Sequence, residues 1–309
     1  GARIKSWKKG GHGLQTFREV LQNSSNPGFV EIGRRLGKDK LYEYVKKFGL
    51  TEKTGVDLPG ESKGIMFDYD SFNELEQATV SFGQGISVTP IQLVRAICAC
   101  VNGGKLYQPY IGDKIINSTT KDVVYEKKPE LLRRVISEET SKKVRDALET
   151  VVTDGGGKNA YIDGYRIGGK TGTAQKAVNG SYVDGGYILS FVGVAPINDP
   201  KIVLYVAMDN PKNCVQYGGT TVAPIARKML MDILPSMGIE KVTSMRRKTY
   251  GPTDVRSVKV ENYIGKSKKE ISNPELKFKY VGDGDEVIDQ LPRVGEYVEA
   301  GSTIVIMLG

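Results

Sequence analysis

Two apolar runs, Gly186–Pro196 and Lys201–Asp209, are joined through the short turn Asn198-Asp199-Pro200. Nearly continuous apolar runs read as strands covered on both faces. The turn is short enough to make them an antiparallel hairpin. A third strand candidate, Tyr165–Gln175, precedes them, and a helix pattern at Thr221–Leu234 follows. Helical stretches also occur near Leu14–Leu21, Phe29–Leu36, Lys40–Phe48 and Thr89–Val101. The last begins with Thr89-Pro90, a good N-cap and first-turn pair. Ser137 can cap a further helix, with Val144, Leu148 and Val151 on one face. Residues 49–70 read as loop, and 105–127 as strands around the polar turn Asn117-Ser118-Thr119-Thr120. The sum is an α+β layered domain.

Length and composition then narrow the chemistry. The chain has 309 residues, enough for about two domains, and a formal net charge of +8. Acidic residues are interleaved with the basic ones, which argues against nucleic-acid binding and for a solvated basic surface. No apolar run reaches the ~18 residues of a membrane span. The start, Gly1-Ala2-Arg3, reads as a processed product or a fragment. One histidine, His12, cannot build a multi-His metal centre, and Cys98, Cys100 and Cys214 make neither a Cys₄ site nor a disulfide framework. Lys, Ser, Thr, Asn or carboxylates are left to carry any reaction. Residues 1–235 read as the main domain and 236–254 as a basic linker containing Met245-Arg246-Arg247-Lys248-Thr249-Tyr250-Gly251-Pro252. Residues 255–309 read as a small αβ unit with short strands and Gly-rich turns. Gly155-Gly156-Gly157 is expected to be a flexible connection.

Two readings compete for Lys170. Gly164-Tyr165-Arg166-Ile167-Gly168-Gly169-Lys170-Thr171 fits the phosphate-loop pattern G-x-x-x-x-G-K-[ST]. Such a loop must leave a buried strand and open a helix whose N-terminus holds the phosphate. Ala160-Tyr161-Ile162-Asp163 before it is no buried strand, and Gly172-Thr173-Ala174-Gln175-Lys176 after it has no helical period. The other reading is Lys170-Thr171-Gly172 on a strand edge, with Ser24-Ser25-Asn26 supplying S-x-N. K-T-G, S-x-N and S-x-x-K together serve serine acyl transfer in penicillin-recognising enzymes.

The flanking residues carry a resemblance. Asn23-Ser24-Ser25-Asn26-Pro27-Gly28-Phe29, the stretch from Ser81-Phe82-Gly83-Gln84-Gly85 to Leu93, and Gly169–Gln175 all resemble class B penicillin-binding proteins, in order and spacing. The resemblance covers about residues 1–235. Tyr263-Ile264-Gly265-Lys266-Ser267, Val281–Asp285, Gln290-Leu291-Pro292 and Gly301–Val305 resemble a PASTA module, with a shortened central helix at Ile271–Pro274.

The resemblance implies an antiparallel sheet between helices, plus a small αβ PASTA domain. It implies a D,D-transpeptidase that cross-links peptidoglycan stem peptides through a serine acyl-enzyme, in spore cortex or septal wall synthesis, and is acylated by β-lactams. A non-catalytic peptidoglycan- or β-lactam-binding scaffold is the alternative. By resemblance, Ser24 relays protons, Asn26 positions the base and the substrate amide, and Lys170 adds positive charge that keeps the base neutral. Thr171, Gly172 and Thr173 form the substrate-binding strand, the two threonines taking the substrate carboxylate. With one histidine, the base is a lysine, which works near neutral pH when burial or nearby cations depress its pKa. The two S-x-x-K matches, at Ser6 and Ser118, read as decoys: glycines follow the first, and the second lies in a polar turn. The nucleophile and its lysine are therefore expected upstream of Gly1, together with a membrane anchor. An extracytoplasmic location and a partner glycosyltransferase are implied as well. No cofactor is required. Zinc is an open option at His12, because some relatives resembling this segment place a cysteine at the position of Ser6 and another upstream. Ser6 is a poor ligand and departs from that pattern.

Overall fold

The computed structural model describes residues 4–178, 181–248 and 257–309. They fall into two compact units, dividing between Lys248 and Thr249.

The first unit opens with α1 (Phe17–Asn23), α2 (Asn26–Leu36) and α3 (Lys38–Lys47). Helix α1 starts later than its apolar pattern suggests. Thr16 fixes the start, accepting from the Glu19 amide while the Glu19 carboxylate accepts from the Thr16 amide. Then come α4 (Glu74–Ser81) and α5 (Pro90–Val101), followed by β1 (Lys105–Gln108), β2 (Lys114–Ile116), β3 (Val123–Glu126) and β4 (Glu130–Arg134). Helix α4 has no counterpart in the apolar periodicity. Its eight residues are mostly polar, and its local signal is the capping box Asn73…Glu76. Thr89 and Ser137 cap their helices as the sequence predicts. Strands β1 and β4 pair antiparallel, as do β2 and β3, in two separate two-stranded sheets.

The site-bearing part follows: α6 (Glu138–Thr153), β5 (Gly168–Val178), β6 (Ser181–Ala195), β7 (Ile202–Asp209), α7 (Gly218–Thr221) and α8 (Ala223–Ser236). The strands form a three-stranded antiparallel sheet in the order β5-β6-β7. Both faces of β6 are covered, as its apolar run predicts. Leu189 and Phe191 join the core with Ala226, Leu230 and Leu234 of α8. Val194, pointing the other way, packs with Val101 of α5 and Leu148 of α6. Among the described residues, strand β5 has a strand partner on one side only. Cys100 packs into the α5–α6 cluster, and burial pushes its thiol up to about 12, which leaves it unreactive.

Two local expectations change. Gly155-Gly156-Gly157 is a tight packing point rather than a flexible connection. The Gly156 amide donates to the Gln22 carbonyl at 3.0 Å, and a Cβ on Gly155 would sit 2.7 Å from that same carbonyl oxygen. Only glycines let the end of α6 approach the end of α1 so closely. Residues 237–248, expected as linker, fold onto the first unit. Ile239 and Met245 pack against the α8 core, and the Val242 amide donates to the Gly164 carbonyl at 2.8 Å. Residues 249–254 of the expected linker lie outside the described residues.

The second unit contains β8 (Ser257–Lys259), β9 (Lys277–Val281), β10 (Val287–Leu291), β11 (Tyr297–Glu299) and β12 (Thr303–Leu308). Strand β12 lies between β10, antiparallel, and β9, parallel. Tyr263, Val287, Ile304 and Ile306 form its core. The shortened helix expected at Ile271–Pro274 is not formed; a single 3-10 turn stands just before it, at Lys268–Glu270.

Phe191 is fully buried between sheet and α8. Phe191→Ala is expected to cost the first unit about 3–5 kcal/mol, read as a lowered urea midpoint. The second unit should unfold as in the wild type.

Candidate active site

Helices α1 and α2 meet in an elbow whose hinge is Ser24, a non-glycine residue at φ +50°. This left-handed conformation is unfavourable for serine by about 1 kcal/mol or more. Backbone bonds hold it: the Ser24 amide donates to the Leu21 carbonyl and the Ser25 amide to Val20. Ser25 then caps α2, accepting from the Gly28 amide at 3.4 Å. The elbow turns the Ser24 hydroxyl toward strand β5.

Lys170 waits there. Its Nζ donates to Ser24 Oγ at 2.7 Å and to the Thr171 carbonyl at 2.9 Å. Two residues 146 apart in sequence thus share a proton-carrying contact. Burial pushes the Lys170 ammonium from the usual 10.5 down to about 8. Desolvation disfavours the charged form, and no carboxylate offsets it in this contact.

The same strand supplies the neighbouring groups. Thr171 is buried, and the Tyr217 hydroxyl lies close to its side chain, both facing Gly156. Thr173 is exposed, and its Oγ1 accepts from the Gly218 amide at 3.2 Å. Gly218 has to be glycine, since a Cβ would lie 2.5 Å from the Gly172 carbonyl oxygen. That close approach seats α7 on the strand and brings Tyr217 over Thr171.

Ser24, Asn26, Lys170, Thr171, Gly172 and Thr173 all line one cleft of about 1080 Å³. Its far wall is the Ser81–Gln84 loop, and the Gly85 amide donates to Tyr182 Oη of β6 at 3.3 Å. Its inner wall is apolar, with Phe29 of α2, Leu93 and Ile97 of α5 and Val192 of β6. A phosphate-loop geometry is absent here, because Lys170 lies within β5 and a long strand continues past it. Neither Ser6 nor Ser118 lines the cleft.

His12 lies edge-on to Trp7 with ring centroids 5.5 Å apart. Burial and the nearby Lys8 ammonium hold its pKa below the usual histidine range. Among the described residues, no group of three His, Cys, Asp or Glu side chains is placed to hold a metal ion. The zinc option therefore finds no ligand set around His12.

Sequence reasoning missed Tyr217 and Trp7 as cleft residues. Tyr217 precedes the Gly218-Gly219 pair, and that close-packing signal could have drawn notice. Trp7 is the chain's only tryptophan, in a Gly-rich segment that offers no periodicity to read.

Residues 1–231 match the family described as penicillin binding protein transpeptidase domain. Stage V sporulation protein D of Bacillus subtilis is 49% identical over 310 aligned residues, covering all of this chain and 48% of that protein. The peptidoglycan D,D-transpeptidase FtsI homolog of Mesostigma viride is 36% identical, covering 70% of this chain and 39% of that one. Among solved structures, penicillin binding protein 3 from Mycobacterium tuberculosis complexed with ampicillin is 30% identical. It aligns with a TM-score of 0.69, covering 76% of this chain and 55% of that one. The chain thus spans about half the length, or less, of the curated relatives it matches.

The depressed Lys170 pKa has a stability consequence of fixed sign. Between about 8 and 10.5 the unfolded chain keeps the lysine proton that the folded chain has lost, so this group makes stability rise with pH in that window. Below about 8 both states are protonated, and the folded state carries the full desolvation cost. Lys170→Met should remove this contribution, whose steepest slope is about 1.4 kcal/mol per pH unit. Urea unfolding of both proteins at several pH values across the window checks it. Parallel profiles for the two would contradict it.

Proposed function

The chain belongs to the penicillin binding protein transpeptidase family, and from that premise we propose that it supplies most of the catalytic domain of a peptidoglycan D,D-transpeptidase. The enzyme cross-links stem peptides through a serine acyl-enzyme and is acylated by β-lactams. The observation that carries the reading is the Lys170 Nζ to Ser24 Oγ contact, inside a cleft that also holds Asn26, Thr171 and Thr173.

In this reading a serine hydroxyl attacks the carbonyl carbon of the penultimate stem residue, giving its proton to a lysine base. The tetrahedral intermediate collapses, the C–N bond breaks, and the leaving amine takes a proton through Ser24. An amine of a second stem peptide then attacks the ester and regenerates the serine. Ser24 can serve as relay because its hydroxyl accepts from Lys170 while its own hydrogen stays free to be passed on. Lys170 brings a charge that burial makes easy to lose. Thr171 and Thr173 hold the terminal carboxylate at the exposed end of the strand, and the Thr173 amide adds an oxyanion donor. Asn26 orients the base and the substrate amide.

The nucleophile and its lysine are assigned to a segment preceding Gly1. Two observations support this. Neither S-x-x-K match borders the cleft, and the inner wall of Phe29, Leu93, Ile97 and Val192 is the surface a buried apolar helix packs on. The same upstream part would hold the membrane anchor and place the domain outside the cytoplasm. Similarity to stage V sporulation protein D favours a role in spore wall synthesis, alongside a wall glycosyltransferase. The second unit is assigned as a PASTA module on its residue pattern.

Full-length protein incubated with a fluorescent penicillin should form a covalent adduct that survives denaturing gel electrophoresis. Lys170→Ala should slow adduct formation by roughly 10²-fold or more, the usual weight of a proton-transfer group. Circular dichroism serves as the folding control. Absence of any adduct in folded wild-type protein would overturn the assignment.

A further inference from the structure

Trp7 is 57% exposed, an unusual position for the largest apolar side chain of the molecule. Its contacts explain the position. Its indole Nε1 donates to the Asn23 carbonyl at 2.9 Å. Asn23 is the last residue of α1, where carbonyls lack helical partners, and it directly precedes the strained Ser24. The indole ring lies against Tyr217, with centroids 5.7 Å apart and planes tilted by 33°. The Tyr217 hydroxyl in turn lies close to the Thr171 hydroxyl, both facing Gly156, and both residues line the cleft with Lys170. One side chain therefore joins the elbow that presents Ser24 to the strand that presents Lys170.

We propose that Trp7 is a positioning residue for the reaction assigned above: a brace that holds the Ser24 elbow in register with Tyr217 and β5. The brace acts through the Ser24 elbow and Tyr217. A residue held at positive φ keeps that conformation only when its surroundings over-determine it. On the α1 side of Ser24 the Gly156 amide holds the Gln22 carbonyl and Trp7 holds the Asn23 carbonyl. With the indole donor gone, the elbow can relax and carry Ser24 Oγ away from Lys170. Misplacement by about 1 Å costs an enzyme roughly 10²-fold in rate.

The test uses full-length protein carrying Trp7→Phe, which keeps a ring on Tyr217 and loses the donor, and Trp7→Ala, which loses both. Hydrogen exchange of the Ser24 and Ser25 amides reads the elbow without any turnover. Trp7→Phe should speed it by up to about tenfold, the loss of one hydrogen bond, with the α6 amides unchanged. Acylation by a fluorescent penicillin, resolved into binding and acylation steps, should show a first-order acylation constant lowered about tenfold in Trp7→Phe, and about 10²-fold in Trp7→Ala. The initial binding constant of Trp7→Phe should stay at the wild-type value. Wild-type exchange at Ser24 and Ser25 in Trp7→Phe overturns the brace, whatever the activity. A loss of acylation that only tracks the unfolded fraction overturns it too. Loosened amides in a protein whose wild type forms no adduct would support the brace and sink the transpeptidase assignment instead. If Trp7→Ala does not fold, Trp7→Phe decides.

Discussion

The structure turns on one partly buried, poorly solvated ammonium. Lys170 is held in a poorly solvated place with two neutral oxygen acceptors, Ser24 Oγ and the Thr171 carbonyl. Such a site is costly to the folded state, and it exists because several elements converge on it. The sheet fixes the lysine from one side through the pairing of Lys170 with Val192. The α1–α2 elbow brings the hydroxyl from the other. Neither half would hold the amine alone.

The convergence depends on where the backbone may approach backbone. Gly218 lets α7 settle onto β5, and Gly155 and Gly156 let the end of α6 touch the end of α1. The covered faces of β6 supply the rigidity, with Phe191 on one side and Val194 on the other. Precision at the lysine is inherited from packing several residues away.

What could be read from the sequence divides along the range of the interactions. The apolar runs around Asn198-Asp199-Pro200 announced their hairpin, and Thr89 and Ser137 announced their helices, because those signals are local. Ser24 and Lys170 were legible as motif residues, and the structure brings them into contact. Tyr217 and Trp7 were not, since their meaning lies in an aromatic contact between segments 210 residues apart in number. Helix α4 escaped because eight mostly polar residues give too few apolar positions to set a period. Residues 237–248 looked like a linker because their basic composition hides Ile239 and Met245, whose burial depends on a groove made elsewhere. Gly155–Gly157 looked flexible for a similar reason, as sequence cannot tell a loose glycine from a tightly approached one.

Strand β5 lies at the edge of its sheet, and a bare edge is a standing invitation to intermolecular pairing. Proteins usually guard such edges with charge, proline or a bulge. Here the guarded stretch from Lys170 to Thr173 is sunk between the α1–α2 elbow on one side and the Ser81–Gln84 loop on the other. A single extended chain needs only one free strand edge to pair, whereas a sheet also brings its neighbouring strands. The walls of the cleft therefore shield this part of the edge, so that a partner strand has to enter the cleft to pair with it.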